Sequence, residues 1–303
     1  MPGASKLWES DLAWSFRRSP VTVVAALVTL VCIGGALLAP WLSPQNPFDV
    51  ATLDLNDAFR PPAWDEKGLA HYPLGTDNQG RDILSTILYG ARISLGVGAA
   101  SVLLSLVLGV TAGLAAGYLG GRLDAFVMRL ADVQLSFPAI LIALLIDGVA
   151  RAFLPPERQD AIAIPVLVLS IGFAGWVQYA RTVRGSTMVE RQKEYVQAAR
   201  VIGRRAPAIM LSHVLPNVLG PVLVIATIHI ATAIITEATL SFLGVGVPPT
   251  RPSLGTLIRI GNEFLYSGEW WITLFPGAAL VALVLAVNLV GDWLRDALNP
   301  KLR

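Results

Sequence analysis

Long uncharged apolar runs alternate with polar ones along this chain, and the length of each run sets the first expectation. Residues 21–42 hold 22 positions without a charge, enough for the roughly 20 residues a helix needs to cross a bilayer. Runs of similar character follow over 93–118, 125–146, 161–180, 220–246 and 270–291. The pattern predicts an all-α integral membrane protein with six transmembrane helices. Residues 1–20 precede the first span, 43–92 form the longest polar excursion, and 292–303 are a polar tail. The length of the first run, and its end at Ala39-Pro40 without an A-x-A site, argue against a cleaved signal peptide.

Finer patterning sits inside this frame. In the second run Ser101, Ser105, Gly109, Gly113, Gly117 and Gly121 recur every four residues. That spacing puts one small side chain per turn on a single stripe, where another helix backbone can approach. Packing within the chain is the expected use. Before that run, the stretch from Leu74 to Arg92 reads LGTDNQGRDILSTILYGAR. Here Asp77 is a candidate helix cap, and Ile83, Leu84, Ile87, Leu88 and Ala91 share one helical face. An amphipathic helix lying in the interface is expected there. The third run carries Arg129 and Asp132, three residues apart and able to pair on one face, with Pro138 further on. Residues 247–269 read as a loop.

The longest patterned polar stretch lies between the fourth and fifth runs, over 181–217. Residues 194–217 read EYVQAARVIGRRAPAIMLSHVLPN. A first short helix is expected over 194–202, stopped by Gly203, where positive φ is tolerated. A second is expected over 207–215, started by Pro207 and ended against Pro216. The two would make a helix-turn-helix on the membrane face, within a stretch, 181–213, whose net charge is about +5 by counting its basic and acidic side chains.

Composition sharpens the class. Hydrophobic residues make up 54% of the 303 and charged ones only 15%, with mean hydropathy +0.61. A soluble domain carries about 25% charged residues, so lipid-facing surface must replace the missing charge. A net charge of +2 gives no footprint for nucleic acid. Cys32 stands alone inside the first run, so the chain offers neither a disulfide framework nor a cysteine metal site. His71, His213 and His229 lack metal-ligand spacing and read as hydrogen-bonding packing residues. None of Lys6, Lys67, Lys193 and Lys301 ends a phosphate-cradling G-x-x-x-x-G-K-[ST] loop. If the N-terminus is cytoplasmic, 15 of the 23 lysines and arginines fall on inside segments, as the positive-inside bias requires. Both termini and the 181–217 loop are then cytoplasmic.

Within that loop, Gln197-Ala198-Ala199, Gly203, His213 and Leu215-Pro216 reproduce a fixed spacing. It resembles the EAA signature of ABC-importer permeases: E-A-A, three residues, G, nine residues, I, one residue, L-P. Gln197 and His213 depart from it, and Glu194 offers acidic character one turn earlier. The stretches LGTDNQGRDILS, GARISLGVG, GYLGGRLD, MRLAD, LSFLGVG and GDWLRDALNPK look like the dipeptide/oligopeptide-type permeases, in particular their second, C-type subunit. Thr86, Leu254 and Asn299 depart from that pattern. The resemblance implies a type I importer fold in which the loop couples to a cytoplasmic ATPase. Glu194, Tyr195, Gln197, Ala198, Ala199, Gly203, Leu215 and Pro216 would carry the coupling. It also implies a bacterial inner-membrane assembly. The partners would be a second homologous permease subunit, one or two ABC ATPases that hold ATP and Mg, and a periplasmic substrate-binding protein. The cargo would be di- or oligopeptides, with nickel, glutathione or opines as alternatives. This chain would do no covalent chemistry.

Two further expectations concern transport. Glu237 lies inside the fifth run, and a charge at mid-membrane costs about 2.5–3.5 kcal/mol on insertion scales. It marks either a hydrogen bond to a neighbouring helix or a gate, and it is expected to face the translocation route. An ion-coupled secondary transporter would need such a residue, but the chain has no evident inverted repeat. Asp77, Arg81 and Asp82 are expected at the mouth where a binding protein docks.

Overall fold

The computed structural model describes residues 11–49, 51, 53–153 and 155–298. Lys6, Asn299, Lys301 and Arg303, used above in the charge count and in the comparison of tails, lie outside the described residues. Among the described residues, five helices are long and apolar enough to cross a membrane, and six if one bent pair counts as a span.

The first span, Pro20–Leu37, starts where Ser19 accepts from the Thr22 backbone and Pro20 occupies the first turn, where a missing N–H is harmless. The second span, Ile83–Leu119, is one helix of 37 residues. At 1.5 Å per residue it measures about 55 Å, well beyond a hydrocarbon core of about 30 Å. No break separates residues 83–92 from the rest, so the expected interfacial helix is the first turns of this span. Its cap is Asp82, which accepts from the Ser85 backbone at 2.7 Å, and not Asp77. The helix ends at Gly120, φ +68°.

The third apolar run is a broken span. Gly121–Leu135 and Ala139–Phe153 meet at 94°, because Pro138 has no N–H to continue the first helix and tight turns at Ser136 and Phe137 close it. Asp132 pairs with Arg181 at 2.5 Å, not with Arg129. The fourth span, Pro156–Glu190, continues as one helix through Arg181 and Arg184, so the polar loop proper begins only at Arg191.

The stripe of small residues joins the second and fourth spans side by side in parallel. A Cβ added at Gly109 would stand 2.4 Å from the Tyr179 Cβ, and one at Gly113 2.4 Å from the Ala180 carbonyl oxygen. At Gly117 it would stand 2.8 Å from the Arg184 carbonyl oxygen. Ser105 Oγ donates to the Gly172 carbonyl at 2.7 Å. Gly121 leaves the stripe and begins the next helix. Gln134 staples the broken span to this pair: it accepts from Trp176 Nε1 at 2.6 Å and donates to the Phe173 and Ala174 carbonyls.

The fifth and sixth spans, Leu215–Phe242 and Trp271–Leu298, close the bundle. The sixth runs on through residues 292–298, which sequence assigned to the tail. Between them lies a helix that the sequence reading missed, Leu254–Phe264, capped by Ser253. Its Gly255 lies against the Ala238 backbone and its Gly261 against Ile272 and Thr273. Side chains at those two positions would drive the helix out of its seat.

Candidate functional site

The loop that links the fourth span to the fifth is held to the bundle at its base and exposed at its tip. Helix Glu194–Val201 buries Val196 and Ala199 in an apolar cluster with Leu114, Tyr118, Val183, Ile209 and Val214. Three contacts fix its angle to the second span. Arg191 donates to the Gly117 and Tyr118 carbonyls at 3.0 and 3.3 Å, placing a cation on the negative end of that helix. Arg200 Nε donates to the Tyr118 hydroxyl at 3.1 Å, and its guanidinium lies 4.8 Å from the Tyr118 ring centre. Gln197 donates back to the Arg191 carbonyl.

The helix ends in a full Schellman closure. Gly203, φ +78°, donates to the Arg200 carbonyl, and Arg204 donates to the Ala199 carbonyl at 3.1 Å. The turn thrusts Val201 and Ile202 outward, 89% and 77% exposed, with Lys193, Arg200, Arg204 and Arg205 exposed around them. Gly203→Ala is expected to weaken this closure by about 1–2 kcal/mol, since the left-handed conformation penalises a Cβ, although space for one is open. Faster amide exchange at 199–204, with the spans unaffected, is the measurement that checks it.

The expected site residues fall into two groups here. Glu194, Gln197, Ala198 and Gly203 are exposed, whereas Ala199 faces inward. Tyr195 is exposed, stacked on His213, bonded to Glu190 and accepting from Asn217. Desolvation and the Glu190 carboxylate push its phenol up to about 12, so it stays a donor at neutral pH. Leu215 and Pro216 differ from expectation. Pro216 ends nothing: Ala206–Ile209 passes through a widened turn at Met210–Val214 straight into the fifth span. Leu215 donates to Met210, five residues back, and this wider register accommodates the proline's missing donor.

At the opposite end, residues 43–49 and 53–82 fold into a cap. Asp77 and Arg81 pair at 2.6 Å with 1% and 2% side-chain exposure. Asp77 also accepts from the backbones of Gln79 and Arg81, and Arg81 reaches the Pro249 carbonyl. Asp82 accepts from the Ser85 hydroxyl, and its own backbone donates to Gln45. Burial pushes the Asp82 carboxyl above the usual carboxylate range, against the bonds from Ser85 and Leu84 that hold it down. All three side chains expected at a docking mouth are therefore buried anchors of the cap, because the Gly80 turn, φ +72°, folds the motif back on itself. Arg81→Ala would leave Asp77 as an uncompensated buried charge. It is expected to lower stability by about 3–5 kcal/mol, read as lost thermal stability of the detergent-solubilised protein.

Glu237 also departs from expectation. It is fully buried and does not line the bundle's large cavity. Ser94 of the second span and Ser241 each donate to it at 2.7 Å. Ser94 in turn accepts from the Leu254 backbone at 3.3 Å, so the carboxyl group is relayed to the positive end of the short helix. Glu237→Ala orphans two buried hydroxyls and is expected to cost about 2–4 kcal/mol, with Glu237→Gln costing less because it keeps an acceptor. Thermal unfolding of both variants in detergent checks the order.

A cavity of about 1000 Å³ lies among the broken, fourth, fifth and sixth spans. It extends from Gly220, Pro221 and Arg295 at the loop end to Thr236, about 24 Å along the fifth span at 1.5 Å per residue. Its walls are mostly apolar, with Gln178, His229, Thr232 and Thr236 as a polar band. Sequence gave no signal for this placement of His229.

The comparisons with known proteins bear on this arrangement. Residues 109–303 match the family model described as "Binding-protein-dependent transport system inner membrane component". The chain is 40% identical to the dipeptide transport system permease protein DppC of Escherichia coli strain K12, over 95% of this chain and 91% of that one. It is 37% identical to the di/tripeptide transport system permease protein DppC of Pseudomonas aeruginosa, with the same coverage. It is 36% identical to the oligopeptide transport system permease protein OppC of Bacillus subtilis, over 98% and 90%. Among solved structures, the MetNI methionine ABC transporter in an inward-facing conformation aligns with TM-score 0.53 at 19% identity, over 71% of this chain and 96% of that one.

Proposed function

The chain belongs to the binding-protein-dependent transport system inner membrane components, and from that membership we propose that it forms half of a peptide-conducting pore. It is a permease subunit of an ABC importer and not a catalytic enzyme. The second half is a homologous permease subunit. The driving force comes from one or two cytoplasmic ATPases, which bind ATP and Mg, and the cargo arrives on a periplasmic binding protein. Both termini and the 191–217 loop face the cytoplasm of a bacterial cell, so the cap faces the periplasm. The cargo is di- or oligopeptides, the class named for the relatives above.

The observation that carries this reading is the loop's build. A short helix with two exposed aliphatic side chains in a ring of basic ones suits an ATPase groove with an apolar floor and an acidic rim. The same helix is tied by Arg191 and Arg200 to the last turn of the second span, which is packed along its length on the fourth. A push on Val201 and Ile202 therefore moves the second and fourth spans as one body, and the fourth lines the cavity. Glu194, Tyr195, Gln197, Ala198, Gly203 and Pro216 form the exposed part of this coupling element, and Ala199 and Leu215 its base.

Purification in mild detergent, with co-purifying proteins identified by mass spectrometry, tests the reading. A second permease, one or two ATPases and vanadate-sensitive dipeptide uptake in vesicles are expected. A chain that purifies alone, with uptake indifferent to vanadate, overturns it.

A further inference from the structure

We propose that His229 is a hydrogen-bond donor to the backbone carbonyls of peptides crossing the cavity, held in its donating tautomer by Tyr179. The inference rests on the permease reading above and adds to it the polar station that the cargo meets inside the membrane.

The tautomer of His229 is set by Tyr179. Its side chain is fully buried, and its hydroxyl lies 2.9 Å from His229 Nδ1. A buried O–H without an acceptor costs about 1–3 kcal/mol, and Nδ1 is its hydrogen-bond partner among the described residues. Tyr179 therefore donates, Nδ1 accepts, and a neutral ring must carry its proton on Nε2. The Cε1–Nε2 edge of that ring lies over Gly175: a Cβ added there would stand 2.3 Å from Cε1 and 2.9 Å from Nε2. Gly175 and His229 both line the cavity. Nε2 has no hydrogen-bond partner among the described residues, so its N–H is open to whatever fills the space.

The neighbouring hydroxyls cannot do the same work. Thr232 donates to the Ile228 carbonyl and Thr236 to the Thr232 carbonyl, leaving only lone pairs for the cavity. These accept from peptide N–H groups, as His229 serves peptide C=O groups. Gln178 offers both on the facing wall. No carboxylate lines the cavity among the described residues. The band thus matches an amide backbone, with apolar walls that tolerate varied side chains.

The experiment uses the full complex with its binding protein in proteoliposomes, loaded with ATP on the ATPase side. His229→Leu is expected to lower the initial rate of dipeptide import at least 10-fold per assembled complex. His229→Gln, whose amide nitrogen reaches the Nε2 position, is expected to keep most of the import. Import by the leucine variant at the wild-type rate overturns the proposal, as does equal loss in both variants. A second measurement covers failure to assemble. In a Cys32→Ser background, His229→Cys is expected to react with a small methanethiosulfonate reagent and to be protected by dipeptide; an unreactive or unprotected thiol refutes the station. Wild-type complex that imports no peptide at all removes the permease reading, and the station with it. That result is distinct from a wild type that imports and a leucine variant that matches it.

Discussion

Gly113→Val is expected to leave almost no assembled protein in the membrane extract. A Cβ at this position would stand 2.4 Å from the Ala180 carbonyl oxygen, 3.0 Å from the Ala180 Cα and 3.0 Å from the Val183 Cβ. Two of those three obstacles are backbone, so no rotamer change relieves them. The fourth span would have to withdraw, opening the seam that Gly109, Gly117 and Ser105 also form. Overpacking with side-chain neighbours typically costs about 1–3 kcal/mol. Displacing a backbone along a whole seam exceeds that and takes a large share of the roughly 5–15 kcal/mol a folded protein has. Gly96→Val is the control: the position has no atom within reach of a Cβ, and its yield is expected to match wild type. Size-exclusion profiles of tagged protein from equal amounts of membrane read both. A monodisperse Gly113→Val protein of normal thermal stability would mean that the close approach of the two spans is wrong.

That seam was legible in the sequence because its signal is local: small residues at a four-residue period can serve only one face of a helix. The turn at Gly203 was legible for a similar reason, since positive φ restricts the residue type. Other features depended on distant partners. Pro216 has the look of a helix stop, yet the widened turn at Met210–Val214 supplies a donor register in which no N–H is missed. Asp77 and Arg81 read as surface charges, and only the Gly80 turn and the Pro249 carbonyl from a distant loop make a buried pair of them. Glu237 advertised itself as a charge in a span. Whether it faced a pore or a protein partner was decided by Ser94, in the second span. The helix at 254–264 was missed because Arg259 and Glu263 break its apolar run, and its burial rests on Gly255 and Gly261 fitting against two other spans. His229 gave no pattern at all. Its role comes from Tyr179 and Gly175, both on another helix.

The double substitution Val201→Asp, Ile202→Asp is expected to abolish ATPase association and import while leaving the permease folded. Both side chains are exposed, and among the described residues neither belongs to an apolar cluster of the bundle, so their loss removes little that holds the chain together. In the docking proposed above they form the apolar tip that enters the ATPase groove, and fully burying a Val or Ile side chain there is worth about 1.5–3 kcal/mol. Losing both weakens the interface by at least about 3 kcal/mol, more than 100-fold in affinity. Two carboxylates set into an acidic rim add like-charge repulsion to that loss. The expected result is an ATPase-free permease pair on purification and peptide uptake at background. Val196→Asp provides the contrast, because Val196 is fully buried beneath the same helix and its replacement should cost the fold itself. A double variant that still retains its ATPase at wild-type stoichiometry would place the docking surface elsewhere on the loop. Leu211, exposed on the following helical segment, would then be the side chain to change next. The asymmetry between Val196 and Val201, five residues apart on one short helix, is what a coupling element requires: one face fixed in the membrane domain and the other free to be pushed.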